Sequence, residues 1–229
     1  MSLSADDLAA IGLSLRVAGT ATLVDLPLAL AAAYALSRAR LAMRVALDAA
    51  ITLPLVLPPV ATGFLLLMMF GRAGPVGGWL ASFGVVLAFR WTGAALAAGV
   101  MAFPLMVRPM RLAMEAIEPA VDEAGLTLGA SAPVRFWRLT LPLAAPGVIA
   151  GLVLGFAKAL GEFGATITFV GAIPGETLTL PTAIYQATQV PGEESHALAL
   201  CGVSVVIAVL AVLVSEIVGG RVAERQRRA

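Results

Sequence analysis

Charge is what this sequence has least of. Only 13% of its 229 residues are Asp, Glu, Lys or Arg, about half the roughly 25% of an ordinary soluble domain. With 60% hydrophobic residues and a mean hydropathy of +0.96, polar surface is too scarce to coat a water-soluble globule. A soluble enzyme and a disordered chain are both excluded, and the chain reads as an integral membrane protein. Cysteine and histidine occur once each. Cys201, inside an apolar run, cannot close an intramolecular disulfide and reads as a small core residue. His196, beside Glu193 and Glu194, has no second His or Cys for a metal site and reads as a capping or snorkelling residue. Lysine is also single, at Lys158, and no Gly-x-x-x-x-Gly-Lys-[Ser/Thr] phosphate loop is present. ATP hydrolysis is therefore not expected of this chain, nor is a metal or cofactor.

Aromatics are sparse too, at 6%, and the apolar runs are continuous. A transmembrane barrel would alternate over segments of about 10 residues, so a helical bundle is expected. The start, Met1-Ser-Leu-Ser-Ala-Asp-Asp, is acidic where a secretory signal is basic, and Arg16 and Asp25 interrupt the apolar stretch after it. It reads as a retained first span, not a signal peptide. Spans are expected at about 11–37, 47–71, 91–112, 143–170 and 196–218, each near the roughly 20 residues a crossing needs. The charge-free segment 73–89 opens on Gly74-Pro75-Val76-Gly77-Gly78. Too few residues lie beyond those breakers for a crossing, which leaves it interfacial or re-entrant.

Loop charges orient the five spans. Arg38, Arg40, Arg44, Arg108, Arg111, Arg135, Arg138, Arg221, Arg225, Arg227 and Arg228 fall on one side, eleven of the 15 basic residues. The other side holds Asp6, Asp7, Glu176, Glu193 and Glu194, with Arg72 and Arg90 as basic exceptions. The positive-inside rule puts the N-terminus outside and the C-terminus inside. One transmembrane domain over 8–218 with a basic cytoplasmic tail at 219–229 is expected. Arg16 and Arg90, at the outer edge, read as snorkelling to headgroups in preference to steering an anion.

The cytoplasmic segment 113–140 is the least apolar. Pro119 suits the first turn of a helix, Asp122 and Glu123 its positive end, and Gly129 the left-handed residue that ends it. Ser131 then suits the cap of a second helix with Pro133 in its first turn. Ala124, Gly125, Leu128 and Ala130 offer a small-residue surface for another protein, and Glu123 a charge for a basic group on it. The pattern is Glu123-Ala124-Gly125, three residues, Gly129, nine residues, Leu139-Thr140-Leu141-Pro142.

That pattern resembles the Glu-Ala-Ala loop of permease subunits of bacterial ABC importers, with Gly125 for the second Ala and Leu139 for Ile. Three further segments resemble the molybdate branch of that family: Leu53-Pro54-Leu55-Val56-Leu57-Pro58-Pro59-Val60 through Gly63, Leu160-Gly161-Glu162-Phe163-Gly164-Ala165-Thr166, and Ile173-Pro174-Gly175-Glu176-Thr177 with Leu180-Pro181. The resemblance implies an all-α, multi-pass inner-membrane subunit with the type I importer permease fold. It implies that Glu123, Ala124, Gly125, Gly129, Leu139 and Pro142 belong to a loop that docks on a separate cytoplasmic ATPase, which uses ATP and Mg. It implies as further partners a second copy of the chain and a periplasmic molybdate-binding protein, with no role for nucleic acid. Tungstate fits the same reading; sulfate or thiosulfate import is the near alternative. A secondary anion transporter, the reading from another class, would usually show an inverted internal repeat, and none is visible.

Within the spans, Pro58 and Pro59 remove backbone donors, and broken helices survive only against protein or a water-filled cavity. They mark a path-lining helix or a structural kink. Gly161 and Gly164 permit close helix approach, as a gate or as packing, with Glu162 and Phe163 between them. Lys158 and Glu162, four apart on one helical face, are expected to pair because a lone charge at mid-bilayer costs about 2.5–3.5 kcal/mol. No cluster of arginines or helix N-termini marks an anion site in the spans.

Overall fold

The computed structural model describes residues 3–228, with side chains through Val214. The expected basic tail at 219–229, with Arg221, Arg225, Arg227 and Arg228, lies outside the described side chains. Helices and turns make up the described residues, with no strand among them.

Helix α1 (Ala5–Arg38) starts from a reciprocal cap. The Ser4 hydroxyl accepts the Asp7 N–H at 3.1 Å, and the Asp7 carboxylate accepts the Ser4 N–H at 2.8 Å. The buried face of α1 is a row of small residues (Ala10, Ser14, Ala18, Ala21, Ala29, Ala33) at helical spacing. Small residues are what helix–helix packing in lipid uses, because backbones gain dispersion contacts only by close approach. Helix α2 spans Leu41–Val56, α3 Pro59–Phe70 and α4 Pro75–Ala81; α5 spans Trp91–Glu115. The last is central, with Ala94, Ala97, Ala98, Met106 and Met110 fully buried. Helix α4 has seven residues, so 73–89 does not cross the membrane.

The second expected span, 47–71, is not one helix. It begins at Leu41, and α2 and α3 are bent by 106°. Pro58 and Pro59 are the cause, for a residue before proline is driven out of the helical region. Leu57 and Pro58 are extended, with ψ of 146° and 131°. Proline without an N–H at the first position of α3 costs nothing there.

The inner hairpin is α6 (Pro119–Thr127), α7 (Ala132–Arg135), one π-helical turn (Phe136–Thr140) and α8 (Leu141–Leu143). Pro142 has no N–H to donate, and in the π turn Leu141 N–H reaches back to Phe136 O. A bend of 72° comes next, before α9 (Ala145–Leu160). The expected fourth span, 143–170, is also interrupted: α9 stops at Gly161, and α10 (Gly164–Val170) starts after Glu162 and Phe163. Helix α11 (Leu180–Thr188) is a short element that the span pattern does not anticipate, and α12 runs Glu194–Arg228.

The contacts sort helix ends into two groups. Asp7 meets His196 at 3.0 Å and Arg90 meets Glu176 at 3.5 Å at one end. Arg38, Arg44 and Asp48 meet Asp122, Glu115 and Arg111 at the other. This alternation is what five crossings require. Two of the outer basic residues also have protein partners: Arg16 stacks 3.8 Å from the Trp91 ring, and Arg90 pairs with Glu176. Cys201 is half-buried.

Candidate functional site

Two places in this bundle carry the chemistry-bearing residues, one at the helix breaks and one at the inner hairpin. At the breaks, α3 packs on α10. A Cβ on Gly164 would sit 2.7 Å from Pro59 Cβ, so only glycine lets the second break seat on the first. Gly63 lies still closer, against the Ala165 carbonyl, with Ala165 Cα and Thr168 Cβ both 2.9 Å from where its Cβ would stand. Pro59 and Gly164 are therefore brought together, with Pro58 beside the one and Glu162 and Phe163 beside the other in the chain. Gly161 is not part of this contact. It is exposed, ends α9, and its hypothetical Cβ meets only its own helix's carbonyl at 3.7 Å. The close-approach glycine that pairs with Gly164 is Gly63, in the other broken span.

Glu162 is 3% exposed. One carboxylate oxygen accepts the Ala165 N–H at 3.0 Å, satisfying a donor in the first turn of α10. The other pairs with Lys158, as the four-residue spacing required. A negative charge at the positive end of α10 is favourable, and it closes that end to an anion. Phe163 stacks on Tyr185 of α11, ring centroids 4.9 Å apart. Thr62 on α3 is buried, and its hydroxyl has no hydrogen-bond partner among the described residues. Alongside, α1, α2 and α5 line a half-open groove of about 550 Å³ with Leu28, Leu47, Ile51, Trp91 and Phe103 on its walls. Asp25 faces it, one oxygen buried against Gly99 without a hydrogen-bond partner among the described residues. No group of His, Cys, Asp or Glu among the described residues could hold a metal ion.

At the inner hairpin, Pro119 opens α6 and Gly129 ends the turn with φ +76°. The Ala130 N–H bonds back to Gly125 O at 3.0 Å, the six-to-one bond of a Schellman end. Ser131 occupies the cap of α7, but its side chain makes no capping bond. Glu123 and Ala124 are exposed, and Leu128 is 87% exposed. Gly125 is buried, and its role differs from the expected outward surface. A Cβ there would meet Arg135 Cδ at 2.9 Å and Leu139 Cδ1 at 3.0 Å, so Gly125 lets the two arms of the hairpin close. Leu139 is half-buried at that contact, and Pro142 lies in α8.

Asp122, next to the motif, carries the hairpin's ion pairs within the chain, while Glu123 stays exposed. Its two oxygens accept from Arg38 and Arg135, each at 2.9 Å. The Arg38 guanidinium, with Arg135 behind it, outweighs desolvation and holds the Asp122 carboxyl below the usual carboxylate range. Arg135 also donates to Ala130 O at 2.9 Å. Helix α5 carries a second network, where Glu115 receives Arg44 at 2.9 Å and Arg111 at 3.7 Å. Arg111 also reaches Asp48 at 2.8 Å. The sequence shows only the net loop charge of these residues, not their pairing.

Comparison with known proteins matches this arrangement. Residues 25–228 match the model of the family described as "Binding-protein-dependent transport system inner membrane component". The chain is 50% identical over 208 residues to the molybdenum transport system permease protein ModB of Escherichia coli strain K12, covering 90% of this chain and 91% of the relative. It is 48% identical over 211 residues, 92% of each chain, to ModB of Haemophilus influenzae. The crystal structure of a bacterial ABC transporter that imports the acidic polysaccharide alginate superposes with a TM-score of 0.77 at 21% identity, over 96% of this chain and 80% of that one. That likeness shows the type I importer permease fold. With breaks stacked within the bundle, a glycine-closed hairpin at its inner end and a family match across nearly its whole length, the chain belongs to the inner-membrane permease components of binding-protein-dependent transport systems.

Proposed function

We propose that this chain forms the transmembrane path of a molybdate importer. The observation that carries the reading is identity at half of all positions, across nine-tenths of both chains, with a molybdenum transport permease. A 21% likeness supports a fold; 50% identity over nine-tenths of both chains also supports the cargo. Tungstate shares the charge and shape of molybdate and is the second cargo.

The chain works with three partners: a second copy that completes the path, a cytoplasmic ATPase subunit and a periplasmic molybdate-binding protein. ATP and Mg belong to the ATPase, and no cofactor is bound here. The exposed side of α6, with Glu123, Ala124 and Leu128, is the docking surface for the ATPase. Gly129 shapes the turn, while Gly125 and Leu139 fix the angle of the two arms. The stacked breaks at Pro58–Pro59 and Glu162–Gly164 are the movable part of the path. Broken helices rearrange with less loss of hydrogen bonding than continuous ones, since their ends already have independent partners. With α10 capped by Glu162, no strong anion trap stands in the way, which suits a path that must release its cargo. Selectivity then rests with the capturing protein.

Reconstituted vesicles holding the permease, its ATPase and the binding protein test the reading. ATP-dependent uptake of molybdate, and of tungstate in competition, is the expected result. Uptake of sulfate alone would reassign the cargo, and uptake without ATP would remove the importer reading.

A further inference from the structure

The inner ends of the helices carry two groups of ion pairs, while α1 and α5 also pack on each other there through Ala33, Leu36, Met110 and Met114. One group joins the α6–α7 hairpin to the end of α1. The hairpin is closed on itself by Asp122–Arg135, Arg135–Ala130 O and the Gly125 contact. Its directional links outward both go to the last turns of α1: Arg38 to Asp122 at 2.9 Å, and Tyr34 edge-on to Phe136 with centroids 5.1 Å apart. The other group joins α2 to α5. Arg111, its side chain only 11% exposed, lies between Asp48 of α2 and Glu115 of α5, and Arg44 of α2 closes the set on Glu115. Helix α2 has no buried residue of its own, so this clamp is what holds its inner end. Farther in, the groove that Asp25 faces separates α1 from α2. Between α5 and α6 runs Ala116–Glu118, where the backbone leaves the helix and becomes extended at Glu118 (φ −59°, ψ 133°).

From this arrangement we propose that Arg38 and Asp122 form the positioning joint through which movement of α6 is passed to α1, and through α1 to the α5 face packed on it at Met110 and Met114. The inference rests on the reading of α6 as the ATPase-docking helix and names which span that helix drives. A charge-assisted pair with both carboxylate oxygens engaged fixes direction as well as distance. The Arg38 side chain is 47% exposed, and a pair so open to solvent contributes little to folding. Its use is therefore transmission, and its removal leaves a folded bundle. Arg38 stands on α1, off the face of α6 that carries Glu123, Ala124 and Leu128.

The test uses the full complex in vesicles, with ATPase co-purification, basal ATP hydrolysis and molybdate uptake per ATP measured on the same preparations. Arg38→Gln keeps wild-type ATPase binding and basal hydrolysis but lowers uptake per ATP about tenfold, within the range of ordinary coupling free energies. Arg38→Lys, which restores one charged donor, recovers most of it. Asp122→Asn, as a second variant, lowers coupling at least as far, and adding Arg38→Gln to it causes no further loss, as two partners of one contact require. Wild-type uptake per ATP in Arg38→Gln overturns the joint, as does loss of ATPase binding in that variant, which would make Arg38 a docking residue. A wild-type permease that binds no ATPase at all instead overturns the proposed function.

Discussion

Glu162 is the residue whose replacement should do most damage for its size. Its side chain is 1% exposed, accepts the Ala165 N–H at 3.0 Å and pairs with Lys158, whose own side chain is 27% exposed. Glu162→Ala removes both acceptors together. A buried N–H left without a partner costs about 1–3 kcal/mol, and breaking a buried ion pair from one side costs about 3–5 kcal/mol. Lys158 keeps partial access to water, so the lower ends apply, and about 4 kcal/mol is expected in all. That is more than a hundredfold in an unfolding equilibrium, at about 1.4 kcal/mol per factor of ten. Glu162→Gln retains an acceptor for Ala165 and should lose roughly half as much. The double change Lys158→Met with Glu162→Gln should return close to wild type, because no charge is left unpaired. The assay is the folded fraction of detergent-solubilised protein against denaturant, for the two single changes and the double. A double variant as unstable as the sum of its singles would refute pairing as the reason for both residues. A Glu162→Ala variant as stable as wild type would refute the cap as well.

Gly63→Val should force α3 from α10, since its Cβ would stand 2.9 Å from Ala165 Cα and Thr168 Cβ; overpacking of about 1–3 kcal/mol should appear as lost uptake and lower thermal stability, whereas Gly19→Ala, with nothing within 4 Å, should show neither. Gly129→Val, at φ +76° in open space, carries backbone strain alone, about 1–2 kcal/mol. It should weaken ATPase co-purification while Gly129→Asn, tolerant of that region, does so less; equal retention in both would sink the role of the turn. The Asp122 link should persist as pH falls until the carboxyl protonates. Its folded value lies below the ordinary 3.8, so its stabilisation is complete above that value and is lost as pH falls through the lower, folded one. Hydrogen-exchange protection of 119–135 should therefore be flat from about pH 8 to about pH 5, and a loss in between would point to a different group.

How much of this is legible in the sequence depends on which force decides each feature. Helix content, the grouping of arginine-rich ends at one end of the bundle and the shortness of the helix in 73–89 come from composition, arginine placement and the Gly-Pro-Val-Gly-Gly opening, all local signals. The breaks are half-legible. Pro58 and Pro59 announce an interruption because proline lacks a donor wherever it stands, but the bend of 106° depends on what α3 packs against. The stop at Gly161 is not legible, because no proline marks it. Gly-Glu-Phe-Gly continues an apolar run, and only the buried Lys158–Glu162–Ala165 arrangement makes ending α9 there favourable.

The same distinction separates Glu123 from Asp122. Both stand in the first turns of α6, both suit its dipole, and spacing from Gly129 singles out Glu123 because a motif records what recurs in line. Which of the two meets Arg38 is settled by rotation about the helix axis. One residue turns the side chain by about 100°, at 3.6 residues per turn, enough to move it from the exposed face to the face that meets α1. The partner stands 84 positions earlier and leaves no mark in the local pattern. For Gly161 and Gly63 the argument is parallel: the pair at i, i+3 predicts one helix's own smooth face, while the contact that needs glycine on both sides joins Gly63 to Ala165 and Pro59 to Gly164. Spacing along the chain can name the elements that carry function; which residue of each touches its neighbour is fixed only when two elements have been set at their angle.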